Sequence, residues 1–211
     1  MIRYSIVSFL AKVKSIPRHP FQWKGIIMNP STAANLARLC SLSLYVLLAI
    51  WYVVPWLRSR PRAAALIPLL WVHAFRYVAL HLVDAQSAGY AISDALRDRI
   101  IYGDIVAMVL AVLAIAALRV RSRLSIPLVL MLVAETVTFI ASLILGRGRE
   151  EMSAVATGIN WLVQSFYVPL VPVTLGLIMW QLVSRRGEAL AGANRAVEEL
   201  PAANRELLTR S

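Results

Sequence analysis

His73, Arg76, Tyr77, His81 and Asp84 stand at offsets of 0, 3, 4, 8 and 11 within one apolar stretch. At about 100° per residue an α-helix gathers such positions onto one face roughly 140° wide. Glu135 lies in a second apolar stretch with Thr138 and Ser142 at offsets of 3 and 7, and Asn160, Gln164, Tyr167 and Thr174 stand at offsets of 0, 4, 7 and 14 in a third. An ionisable group deep in a bilayer costs about 2.5 to 3.5 kcal/mol on insertion scales, so each is a candidate site residue. Arg76 and Glu135 are natural partners, because a guanidinium offers a carboxylate a planar fork of donors. Two readings follow. The stripes are hydrogen-bonding glue that fixes helix register, or they line a polar cavity in which Glu135 titrates and His73 relays a proton.

Other patterns are weaker. Gly103, Ala107, Ala111, Ala114 and Ala117 recur at spacings of four and three, a small-residue stripe along which another helix can approach, within the bundle or at an oligomer contact. Asp104, placed near the outer end of its span, is expected to cap the helix or to pair with Arg97 or His81. Asp94 and Asp98 have a spacing that could hold Mg2+ against a diphosphate flanked by Arg97 and Arg99, yet a solvated helix start capped by Ser93 or Asp94 accounts for them better. Pro169 and Pro172 should kink their helix or loosen a turn beside Gln164 and Tyr167, whereas Pro55, Pro68 and Pro127 lie nearer span ends.

Several chemistries are excluded. One cysteine, Cys40, permits no internal disulfide and no cysteine-ligated cluster. All three lysines, Lys12, Lys14 and Lys24, precede the first span, so none is available inside the membrane for a Schiff base. His73 and His81 are eight residues apart, about 12 Å along a helix, too far to ligate one haem iron together, although a single ligand to haem stays open. P-loop, H-E-x-x-H and G-x-S-x-G patterns do not occur. Tyr102-Gly103-Asp104 matches an intramembrane aspartyl protease motif only in part, with Ile101 where that motif has glycine. No catalytic residue, metal site or cofactor is assigned.

The elements that must position these residues are transmembrane helices. Of 211 residues, 59% are apolar and 16% charged, with a mean hydropathy of +0.68, outside the range of soluble domains. The expected fold is all-α: a polytopic bundle of five spans at about 34–57, 63–83, 100–118, 124–146 and 156–183. Residues 1–33 form a basic amino-terminal segment, 34–184 the bundle and 185–211 a polar tail. Arginines follow the first, third and fifth spans, as Arg58, Arg60 and Arg62, as Arg119, Arg121 and Arg123, and as Arg185 and Arg186. Positive residues stay cytoplasmic, which places the amino terminus outside and the carboxyl terminus inside. The first 27 residues carry +5 and resist that orientation. They are either an interfacial helix over Ile2 to Ile16 or lie upstream of a true start at Met28, the favoured explanation. The net charge of +11 is read as orientation and contact with anionic lipid headgroups, not as nucleic-acid binding.

Trp71-Val-His-Ala-Phe-Arg-Tyr77, Ala85-Gln-Ser-Ala-Gly-Tyr90, Asp94-Ala-Leu-Arg-Asp98 and Tyr102-Gly-Asp104 resemble segments of a group of uncharacterised bacterial multi-pass membrane proteins. The resemblance covers spans two to five and implies a bundle in the bacterial inner membrane, with no activity attached. The leading expectation is therefore a membrane protein whose polar interior, formed by His73, Arg76, Tyr77, His81, Glu135, Asn160, Gln164 and Tyr167, binds or conducts a small solute or protons. The alternative is a non-catalytic subunit assembling, as a homo-oligomer or with a membrane partner, through the small-residue stripe. A lipid- or isoprenoid-modifying enzyme ranks third.

Overall fold

The computed structural model describes residues 29–145, 158–186 and 188. The expectations for the first 27 residues, for Met28 as a start and for most of the tail lie outside the described residues. Among those described, five helices are long and apolar enough to cross a membrane: α1 (Ser31–Arg58), α2 (Arg62–Ser87), α3 (Asp94–Arg119), α4 (Ser125–Leu145) and α5 (Gly158–Ser184). No strand occurs among the described residues. The helices alternate in direction, so one end of the bundle carries Arg58, Arg62, Arg119 and Arg185 and the other carries Asn29, Ser87, Asp94 and Gly158.

Local chemistry sets the ends. Asn29 caps α1 by accepting from Ser31 N at 3.2 Å. α2 stops at Gly89, whose φ of +88° lies in the left-handed region that favours glycine. Ser93 caps α3 by accepting from Leu96 N, so α3 begins six residues before the apolar run at Ile100 and carries a polar first turn. Its other end closes on Arg121 at φ +55°, with Ser122 N donating to Ala117 O at 2.8 Å.

Three helices depart from α-geometry inside their spans. α1 widens into a π turn at Ala49–Val53, ahead of Pro55, and α5 does the same at Val163–Tyr167, ahead of Pro169. A proline removes a backbone donor and crowds the carbonyl four residues earlier, and a wider turn accommodates both. Pro55 thus shapes its helix as strongly as Pro169 does. α2 tightens into a 3-10 segment at Phe75–Leu80.

The helices pack in the spatial order α4, α3, α2, α5, α1. Two apolar layers hold them. The larger, toward the arginine-rich end, joins Leu57, Leu66, Leu70, Leu118, Val129 and Ile178, all buried. The stripe residues Ala107, Ala111 and Ala114 are fully buried in this layer, within the chain, and Ala117 is nearly so. The smaller, toward the Asp94 end, joins Ala79, Leu82, Ile92, Leu96 and Ile100 with Phe139 and Leu143 against them. The candidate site lies between the two.

Candidate functional site

Arg76 sits between the layers with its side chain 3% exposed. Its Nε donates to Asp104 Oδ1 at 2.6 Å, and its Nη1 donates to Thr136 Oγ1 at 2.8 Å and to Glu135 Oε2 at 3.4 Å. Thr136 passes the contact on by donating to Glu135 Oε2 at 3.2 Å. One guanidinium thus serves two carboxylates from two helices, and with both ionised the triad carries one excess negative charge. The carboxylates are the more open side: Asp104 is 16% and Glu135 19% exposed.

The expected Arg76–Glu135 pair is present, but Asp104 is the closer partner. Asp104 does not pair with Arg97, which bonds Asp94 and Asp98 on its own helix and Gln86. The cause is the early start of α3. Asp104 is ten residues into that helix, about 15 Å from its first turn, not at its outer end.

Phe139 covers the guanidinium, its ring 5.2 Å from Arg76 Cζ, a cation–π distance. Gly103 provides the seat, because a Cβ there would fall 2.8 Å from the ring. That glycine of the small-residue stripe admits a ring and leaves helix-to-helix approach to the alanines.

From the triad, polar contacts run along α5. His81 reaches Val78 O through Nδ1 at 2.6 Å and Asn160 Oδ1 through Nε2 at 2.9 Å. Val78 O can only accept, so Nδ1 donates, and the Asn160 amide meets Nε2 with its oxygen or its NH2 according to how the amide is turned. Arg38 of α1 donates to Gln164 and, at 2.9 Å, to Asn35 Oδ1. Tyr167 donates to Val72 O at 2.6 Å. His73 Nε2 lies 3.2 Å from Thr174 Oγ1. Thr174 also approaches Leu170 O and Val171 O at 3.0 Å, so a protonated Nε2 donating to a hydroxyl that bonds its own helix satisfies both groups. His73 Nδ1 and Ser165 Oγ are buried without a hydrogen-bond partner among the described residues.

His73, Arg76, His81, Glu135, Asn160, Gln164 and Tyr167 thus all lie in polar contacts inside the bundle, a string of separate contacts from α4 across to α1. Tyr77 does not enter it: it is 48% exposed, beside Phe75. Asp84 is exposed as well. The 3-10 segment explains both, since at three residues per turn the buried positions become His73, Arg76, Ala79, Leu82 and Ala85. On α4, Thr138 is exposed and bonds Ala134 O, while its neighbour Thr136 is fully buried. Sequence reasoning passed over Thr136, Phe139 and Arg38. For Arg38 a signal existed, an arginine inside an apolar span with Asn35 one turn before it.

The string is one-sided. It extends from the Asp94 end to His73 and Thr174, near mid-helix, and the larger apolar layer lies beyond. No group of three or more metal-ligating side chains occurs among the described residues. No curated protein and no solved structure matches the chain. A family model described as "Domain of unknown function (DUF8737)" matches residues 33–183, which take in all five helices but the first residues of α1 and the last of α5. That match spans well over half of the sequence and includes every residue of the polar string, and the chain belongs to this family.

Proposed function

We propose that the chain is a multi-pass protein of the bacterial inner membrane. Its arginine-rich end faces the cytoplasm, and it takes up a proton or a small cationic solute at the Asp104–Glu135 pair. The observation that carries this reading is the two-to-one ratio of carboxylates to guanidinium around Arg76, with both carboxylates partly open and the arginine closed off. A purely structural pair needs one acid per base. A second acid leaves charge to be neutralised by a proton or a cation, and like carboxylates close together favour sharing a proton. Entry is from the Asp94 end, along His81, Asn160, Gln164 and Tyr167. The apolar layer toward the other end means that the site is occupied from one side and that passage across requires the helices to rearrange.

The test is proton flux into proteoliposomes under an imposed pH gradient, wild type against a folded Glu135→Gln variant. Flux in the wild type that is lost in the variant supports transit through the pair. Equal flux in both, or none in either at both signs of potential, overturns transit and moves the weight to a non-catalytic subunit. That second reading is favoured by one observation, that α1 buries the smallest share of its residues of the five helices. The alanine stripe of α3, being buried within the chain, does not serve as its docking surface.

A further inference from the structure

At the arginine-rich end a groove of about 430 Å³ runs between α4 and α5. Ile126, Leu130 and Val133 line one side and Met179 the other, and Arg62 and Arg186 stand at its end. Ile126 to Val133 is seven residues, about 10 Å of helix. The volume falls in the range of small-molecule sites, and its walls are apolar apart from the arginines.

The two arginines are left with unused charge. Arg62 is 9% exposed; its Nη2 donates to Leu182 O at 3.1 Å, while its Nε is buried with no hydrogen-bond partner among the described residues. Neither Arg62 nor Arg186 makes an ion pair among the described residues. The nearby carboxylate, Glu188, is bonded to Arg185 at 2.7 Å. A buried guanidinium nitrogen with no acceptor is costly, and among the described residues that line the groove there is no acid to meet it. An occupant with an apolar chain and an anionic head would bury the first between α4 and α5 and bring the second to Arg62 and Arg186. Both arginines lie at helix ends, Arg62 opening α2 and Arg186 just past α5, the level of lipid headgroups in a spanning helix.

We infer that this groove is a binding site for one anionic phospholipid, with an acyl chain along Leu130 and Met179 and the phosphate on Arg62 and Arg186. It is independent of the carboxylate site, since its lining shares no residue with the polar string.

The experiment is native mass spectrometry of the full chain released from mild detergent and titrated with phosphatidylglycerol or phosphatidylcholine. Wild type is expected to retain one phosphatidylglycerol in preference to phosphatidylcholine. Arg186→Gln should weaken that retention roughly fivefold, the worth of one arginine at an anionic headgroup, and Leu130→Trp, which fills the groove, should abolish it. Arg186 and Leu130 are both exposed, so these variants keep the fold even if Arg62→Gln does not. Equal retention of the two lipids by wild type, or unchanged retention in both variants, overturns the proposal. Displacement of the lipid by millimolar inorganic phosphate also overturns it, because the acyl chain would then contribute no anchorage.

Discussion

Replacing Arg76 by glutamine removes the one cation between Asp104 and Glu135. The guanidinium is 3% exposed and touches Asp104 at 2.6 Å and Glu135 at 3.4 Å. At an effective dielectric constant of about 20, unit charges 4 Å apart attract by about 4 kcal/mol. Removing one member of a buried pair costs about 3–5 kcal/mol, most of it from the charge left behind. Two carboxylates remain here, so Arg76→Gln should destabilise the bundle by about that amount. Asp104→Asn leaves Arg76 bonded to Glu135 and Thr136, and it should cost about 1–3 kcal/mol, the worth of a charged hydrogen bond. In the double variant the neutral amide that replaces the Asp104 carboxylate no longer needs a cation, and the summed costs should exceed the observed one by about 2 kcal/mol. The assay is denaturant unfolding in detergent micelles, followed by far-ultraviolet circular dichroism across the four proteins of the cycle. Additivity within about 0.5 kcal/mol, or a cost of less than about 1 kcal/mol for Arg76→Gln, would refute the reasoning that this arginine ties the Asp104 and Glu135 carboxylates together.

Three further outcomes are expected. Gly103→Ala puts a methyl group 2.8 Å from the Phe139 ring and should cost about 1–3 kcal/mol by overpacking; Gly103→Ala/Phe139→Leu should cost less than the two single changes summed, in the same unfolding assay. Tyr167→Phe loses the 2.6 Å bond to Val72 O and should cost about 0.6–1.7 kcal/mol, seen as a lower thermal midpoint. Asp98→Asn, which breaks an exposed pair with Arg97, should change stability by less than about 1 kcal/mol, so a larger loss would show that the Asp94 end is more tightly built than its exposure indicates.

The five helices are legible because a run of about 20 apolar residues has few other fates. The polar stripe of α5 is legible too: Asn160 precedes the π turn, Gln164 lies at its start, and both are buried, as is Thr174 beyond it. The α2 stripe is distorted, because six residues of 3-10 helix rotate the later positions by roughly 120° relative to an α-helix. Nothing in the types of Phe75 to Leu80 announces that tightening, and it separates Tyr77 and Asp84 from the rest. Asp104 lies deeper than hydropathy places it for another reason. Hydropathy marks where the apolar core of a span begins, whereas α3 is started by a serine cap seven residues earlier. Once the helix is counted from Ser93, Asp104 comes level with Arg76 and Glu135. The groove at the arginine-rich end depends on how α4 and α5 stand apart on either side of their neighbours, which no pattern within either helix contains.

Infrared difference spectroscopy of the reconstituted chain reads proton uptake at the Asp104–Glu135 pair itself. A protonated-carboxyl band is expected to appear as the pH is lowered and to be absent from a folded Glu135→Gln variant. A band that is unchanged in Glu135→Gln, or no titrating carboxyl band in the wild type, would contradict it and leave the triad as structural glue.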